Sequence, residues 1–204
     1  MKKKQYYFDY LKNTEKFPRN LYHQAKHYLV DQAVSQCLSG FYILDAGCGL
    51  GNISGRYDKD YSIFGVDKEK SAIKYCRENY QGKYIKANLE NLPFPKNKFN
   101  LILFLDTIEH LKNPERVLKE LARVLKQKGK ILICTINYAN PLWFILENTW
   151  HRFFGGNCKT YSHDVHPTRY TEKLLLKQSN KYFKQIYSKN RVLAMELFYL
   201  GQKR

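Results

Sequence analysis

Acidic side chains are scarce in this chain of 204 residues: 18 Asp and Glu stand against 35 Lys and Arg, a formal charge of +17. Such an excess suits an anionic partner (nucleic acid, an acidic lipid surface, a phosphorylated substrate), and equally a lysine-rich solubilising surface. The lysines are spread through every segment, and only Met1-Lys2-Lys3-Lys4 and the last few residues read as basic tails. That scatter ranks nucleic acid behind a small-molecule or lipid-like substrate, with peripheral contact to an anionic membrane left open. No C-x-x-C pair occurs, and the five cysteines Cys37, Cys48, Cys76, Cys134 and Cys158 are odd in number. Reduced thiols buried in a cytoplasmic protein are therefore expected, not a disulfide framework. No apolar run approaches membrane-span length, and none resembling a signal peptide follows the first lysines, so the chain reads as soluble. Internal repeats and low-complexity stretches are also missing. At this length and 44% hydrophobic content one sizeable core is expected, and a second full domain is not.

What is present is an alternation of apolar strands and amphipathic helices. Phe41-Tyr42-Ile43-Leu44 leads into Asp45-Ala46-Gly47-Cys48-Gly49-Leu50-Gly51, a buried parallel strand followed by a glycine turn. Such a turn outside the carboxyl end of a first strand is where open α/β sheets bind nucleotide-like cofactors. A dinucleotide fingerprint needs a third glycine where this chain has Asn52, so a nicotinamide cofactor is disfavoured. Further strands are expected at Tyr61–Val66, Lys83–Ala87, Phe99–Leu105 and Lys130–Ile136, and two last ones at Phe183–Tyr187 and Val192–Gly201, antiparallel across a short turn. Helices are expected over 6–38, with Leu21, Ala25, Tyr28, Leu29 and Ala33 facing inward and Pro18 at a break or first turn, and over 71–80 and 171–179. Another, after a capping Asn113 and Pro114, buries Val117, Leu118, Leu121, Val124 and Leu125 and closes at Gly129. Prolines 93 and 95 force an extended loop, and 137–170 reads as irregular and aromatic-rich. The fold class is a Rossmann-like α/β domain: seven strands, mostly parallel, one antiparallel, helices on both faces. Residues 1–40 form an N-terminal helical segment, and 41–204 the domain, with 138–170 covering the substrate.

Asp67 stands one βαβ unit beyond the glycine turn, at the tip of the second strand, where a carboxylate can accept both hydroxyl hydrogens of a ribose. With Gly47, Gly49 and Gly51 alternating behind Asp45, this pattern resembles class I S-adenosylmethionine-dependent methyltransferases of the type 11 kind. The resemblance extends over Ala87-Asn88-Leu89-Glu90-Asn91-Leu92-Pro93-Phe94 and Phe99–Asp106. It implies S-adenosylmethionine as cofactor, with Asp45, Gly47, Gly49 and Gly51 along its methionine part. It further implies Asp67 at the ribose, Asn88 and Leu89 at the adenine, Leu105 beside the methionine, and Cys48 and Lys68 among the cofactor-binding residues. Many relatives carry aspartate where this chain has Asn88, whose carboxamide can still accept from an amino group.

Asp106-Thr107-Ile108-Glu109-His110 follows the fourth strand; in a helical turn 106, 109 and 110 share one side. Two carboxylates and an imidazole suit a divalent metal, or His110 deprotonates a substrate hydroxyl. Quinone-biosynthesis and small-RNA methyltransferases carry a similar E-x-x-E-H segment associated with Mg²⁺. Here Asp106 replaces the first Glu, and Leu111 stands where the RNA enzymes have a second histidine. No metal is assigned, and His110 is the catalytic candidate. In Tyr161–Tyr170, His163, Asp164, His166 and Arg169 either reach the substrate or brace the following helix. Tyr138–Phe154, with Trp143, Phe144, Ile145, Leu146, Trp150, Phe153 and Phe154, either covers an apolar substrate, lies on a bilayer interface or packs. His23 and His27 share a helix face and read as solvated. The activity expected is O-methylation of a small or amphiphilic molecule; the alternatives are RNA methylation and non-catalytic binding of S-adenosylmethionine.

Overall fold

A computed structural model describes residues 19–148 and 166–204. The expectations at Tyr6 to Pro18, Cys158, Trp150, Phe153, Phe154 and Tyr161 to Val165, His163 and Asp164 included, fall outside the described residues. In chain order the elements are α1 (Arg19–Ser35), β1 (Tyr42–Ala46), a 3-10 turn (Ser54–Tyr57), β2 (Ser62–Asp67), α2 (Lys70–Asn79), β3 (Lys83–Lys86), β4 (Phe99–Leu105) and a 3-10 turn (Ile108–His110). Then come α3 (Pro114–Val124), β5 (Leu125–Ile136), α4 (Pro141–Asn148), α5 (Glu172–Ser179), β6 (Phe183–Arg191) and β7 (Glu196–Lys203).

The strands form one sheet in the order β3-β2-β1-β4-β5-β7-β6, and β7 alone runs antiparallel to its neighbours. Successive residues of a strand face opposite sides of the sheet, and the core divides accordingly. One face carries Leu44, Phe64, Ile102, Phe104 and Ile133 against Val117, Leu118 and Leu121 of α3 and Leu175 of α5. The other carries Ile43, Ile63, Leu101, Leu103 and Leu132 against Leu29, Val30, Ala33 and Val34 of α1 and Ile73 and Cys76 of α2. β1 and β4 are parallel neighbours from which successive strands are added in opposite directions across the sheet, so the crevice outside their carboxyl ends is the topological switch point.

Several expectations are corrected. The inward stripe of α1 is Lys26, Leu29, Val30, Ala33 and Val34, while Tyr28 is exposed; the stripe turns because a charged residue is among those buried. α3 ends at Val124, five residues before Gly129, because Leu125 is already extended and pairs with Phe99 of β4. The left-handed residue in that stretch is Lys128, at φ 62°. Asn113 precedes α3 without a side-chain cap. Part of Tyr138–Phe154, in a stretch otherwise read as irregular, could form an amphipathic helix, and Pro141–Asn148 is helical; its Trp143 is buried with Nε1 donating to the Met195 carbonyl at 2.7 Å. Val192, Leu193 and Ala194 belong to the turn before β7, all with positive φ. Asn140 Nδ2 donates to the Leu193 carbonyl (2.7 Å) and Asn137 Nδ2 to that of Ala194 (2.9 Å), which holds a backbone that these side chains disfavour.

Candidate functional site

β1 delivers Asp45 and Ala46 to the switch point, and the glycine loop turns there. Gly47, Gly49 and Gly51 all have positive φ, at 82°, 51° and 71°. At Gly47 a second reason applies: a Cβ would lie 2.4 Å from Thr107 Oγ1, so the loop after β1 touches the loop after β4. Asp67 closes the floor of this crevice. Its Oδ2 accepts from the Gly49 amide and its Oδ1 from the Glu69 amide, both at 2.9 Å. Each carboxylate oxygen has two acceptor sites, so one on each remains for a vicinal diol. Asp45 is buried, and burial, opposed by nearby Ser54 and reinforced by the Asp67 charge, raises its carboxyl to about 6. Leu89 and Leu105 are buried apolar walls, and Lys68 and Asn88 are exposed at the same edge. The Asn88 Oδ1 accepts from the Glu90 amide at 3.0 Å. Cys48 and Cys76 are buried free thiols under the loop, both donating to the Gly49 carbonyl (3.8 and 3.3 Å).

The acidic turn after β4 is not one cluster. Asp106, left-handed at φ 46°, bonds the Lys26 ammonium from α1 and receives the Cys134 thiol at 3.5 Å. Lys26, 2% exposed, also stands 3.7 Å from Glu196 at the start of β7. Burial alone would lower the Lys26 ammonium, but Asp106 and Glu196 hold it well above the usual lysine range. Burial likewise pushes Asp106 up, and Lys26 more than reverses this, leaving it below the usual range. Glu196 is raised to about 7 by burial and the Asp106 charge, against the pull of Lys26. Glu109 is buried and accepts from Thr135 Oγ1 at 2.9 Å; burial and the Asp106 charge raise it to about 8. Among the described residues, the one set of ligand atoms close enough for a metal is Asp106, Cys134 and Glu196. Lys26 already supplies a cation there.

His110 is exposed, with its ring centroid 4.5 Å from that of buried His166. His166 Nδ1 bonds the Tyr138 hydroxyl, and the Arg169 guanidinium lies 4.8 Å from the Tyr138 ring centroid. The helix after His166 is capped by Thr171, whose side chain accepts from the Leu174 amide. His23 and His27 are partly buried: His27 Nδ1 contacts Arg56 at 2.5 Å, and His23 acts on the Asp106 charge, so neither is a freely solvated group. Sequence reasoning missed Lys26 and Glu196. Lys26 shares the 26-29-30-33 spacing of the apolar stripe, which was the available signal; for Glu196 there was none.

This geometry, a glycine loop and a strand-tip aspartate at the switch point, coincides with a match of residues 44–133 to the family model for a methyltransferase domain. Over residues 44–133 the chain is thus similar to class I S-adenosylmethionine-dependent methyltransferases. Its sequence is 35% identical over 97 residues to the uncharacterized protein MJ0638 of Methanocaldococcus jannaschii, covering 48% of this chain and 41% of that one. It is 29% identical over 126 residues to a ubiquinone biosynthesis O-methyltransferase of Coxiella burnetii, covering 59% and 53%. The chain thus spans about half the length of these curated relatives. The PH0226 protein of Pyrococcus horikoshii shares the fold at TM-score 0.70 and 18% identity, over 94% of this chain and 96% of that one. The family's cofactor is S-adenosylmethionine, and the crevice suits it: a carboxylate with an acceptor site left on each oxygen, main-chain turns that no Cβ narrows, and apolar walls. Among the described residues no helix is long and apolar enough to cross a membrane.

Proposed function

We propose that this protein transfers the methyl group of S-adenosylmethionine to a hydroxyl oxygen of a small or amphiphilic acceptor, with His110 as the base. Asp67 carries the reading: its carboxylate is fixed by two main-chain amides at the switch point, so it is aimed before a sugar arrives. Asp45, Gly47, Cys48, Gly49, Gly51 and Leu105 border the methionine portion, Lys68 the ribose, and Asn88 and Leu89 the adenine. The cofactor supplies an already activated methyl: as the acceptor oxygen bonds the carbon, the C–S bond breaks and sulfur keeps the electron pair. What remains for the chain is to align the oxygen, exclude water and take the hydroxyl proton. His110 is exposed on the turn after β4, at the same edge, within reach of an entering substrate. Segment 138–170 is proposed to cover the acceptor; Trp143 anchors its start. The name of the Coxiella relative, a ubiquinone O-methyltransferase, supports oxygen as the acceptor atom.

Calorimetry with S-adenosylhomocysteine tests the pocket, and transfer of labelled methyl from the cofactor into fractionated cell extract tests the reaction. Binding with a labelled O-methyl product is expected. Absence of binding heat by folded protein overturns the pocket, and binding without any labelled product overturns the enzyme.

A further inference from the structure

Lysines that are scattered along the chain gather in space. Lys83 opens β3, Lys98 immediately precedes β4 and Lys126 is the second residue of β5. These strands run parallel, so all three lysines stand at the amino edge of the sheet, opposite the cofactor crevice. Their ammonium groups surround two rings in edge contact, Tyr42 and Phe64, with centroids 5.7 Å apart. Lys98 Nζ lies 3.9 Å from the Phe64 centroid, Lys83 Nζ 5.7 Å from the same centroid, and Lys126 Nζ 5.7 Å from that of Tyr42. We propose that Lys83, Lys98 and Lys126 form a phosphate-binding surface for single-stranded nucleic acid, with the Tyr42 ring as the platform for one base. The surface serves docking, not methyl acceptance, and does not depend on the transfer reaction above.

Like charges gathered around two rings oppose one another, and the protein does not neutralise them. Among the described residues none of the three lysines pairs with a carboxylate. The acids at this edge, Asp58 and Asp60, lie in the turn before β2, where Asp58 Oδ2 accepts from the Gln81 amide at 2.7 Å. Burial and the Lys83 charge lower the Lys98 ammonium, although the ring faces attract it. The backbone beneath the cluster is fixed. The Asn97 and Lys98 amides donate to the Arg123 and Val124 carbonyls (3.0 and 2.7 Å), and Asn100 Oδ1 accepts from both the Tyr42 amide (3.2 Å) and Lys126 Nζ (3.1 Å). The lysines are therefore held together without a counter-charge, and an external anion relieves them. A backbone that carries one phosphate per nucleotide matches three separate ammonium groups better than a single small anion does. Phe64 and Phe99 are buried, but Tyr42 is 42% exposed, which leaves a ring within the cluster open to a base. That open ring favours a strand with unpaired bases over a bilayer surface.

The test is fluorescence anisotropy of a labelled single-stranded oligouridylate with the full chain, over a series of potassium chloride concentrations. Binding that weakens linearly in log affinity against log salt is expected. The variant Lys83→Gln/Lys98→Gln/Lys126→Gln is expected to lose affinity more than about tenfold and to lower the slope by about 2, at roughly 0.7 for each phosphate contacted. Tyr42→Leu is expected to weaken binding about 5- to 150-fold with the slope unchanged. A control variant, Lys74→Gln/Lys119→Gln/Lys173→Gln, removes the same charge from exposed positions on three helices and is expected to keep at least half of the affinity. Unchanged melting temperatures confirm that each variant is folded. Absence of oligonucleotide binding at low salt overturns the proposal, and so does an equal loss in the control and the cluster variant, which would mean net charge alone. Unchanged affinity in Tyr42→Leu overturns the base platform. Sedimentation with phosphatidylglycerol vesicles without oligonucleotide binding assigns the cluster to a bilayer and overturns the nucleic-acid partner.

Discussion

Asp67 illustrates how little a side chain needs to change to lose its role. Both its oxygens accept from main-chain amides, so Asp67→Asn forces an NH₂ group against the Gly49 or the Glu69 amide. A partly buried mismatch of that kind costs about 1–3 kcal/mol. S-Adenosylhomocysteine affinity measured by calorimetry is expected to fall between 5- and 150-fold, roughly, by the same conversion. Gly47→Ala acts through space rather than charge. It combines φ 82° with a Cβ placed 2.4 Å from Thr107 Oγ1, and is expected to destabilise by about 2 kcal/mol in urea unfolding. The glycines and the aspartate were readable because each answers to a local rule: positive φ favours glycine, and a strand-tip carboxylate follows a βαβ unit. The pairing of His166 with Tyr138 was not, since 28 residues separate them and no local periodicity relates the two.

At the scale of elements, α1 is bound to the sheet by more than its apolar stripe. Lys26 places a buried ammonium between Asp106, which follows β4, and Glu196, which begins β7. Removing it leaves buried Glu196 and partly exposed Asp106 without their cation, so Lys26→Met is expected to lower stability in chemical unfolding. Asp106→Asn in the same background should recover part of that loss, since it removes one of the stranded charges. The pH dependence has a defined sign. Glu109 and Glu196 bind their protons more tightly folded than unfolded, at about 8 and about 7. The folded state then holds more protons between the ordinary glutamate range and pH 8, and stability falls as pH rises through that window. Asp106 acts oppositely: its contribution is present above the ordinary aspartate range and lost on acidification below it. The melting temperature is accordingly expected to drop from pH 6 to pH 8.5, and Glu109→Gln, which keeps an acceptor for Thr135, to flatten the drop. α4 and the turn at Val192–Ala194 belong to the same scale: Asn137, Asn140 and Trp143 bind successive carbonyls of a distant hairpin, a dependence invisible along the chain.

For the molecule as a whole, cofactor binding and folding are linked through the switch point. Because the loops after β1, β2 and β4 all border the crevice, a ligand there binds the folded state alone. At 100 times its dissociation constant S-adenosylhomocysteine is expected to add about 2.7 kcal/mol, a rise of roughly 5–10 °C in melting temperature by thermal scan. A rise absent at that saturation would place the binding elsewhere. The sequence by itself determined the layered α/β architecture and a mostly parallel sheet of seven strands with one antiparallel. Apolar runs long enough to be buried on both faces, broken by glycine and acid at strand ends, have few other ways to satisfy their backbone. Only the tertiary structure decided that a lysine of the first helix neutralises Asp106, that Glu109 turns to Thr135, and that His110, His166 and Tyr138 meet. Those contacts join residues 26 to 80 positions apart, and depend on how strands stack rather than on any pattern within one element.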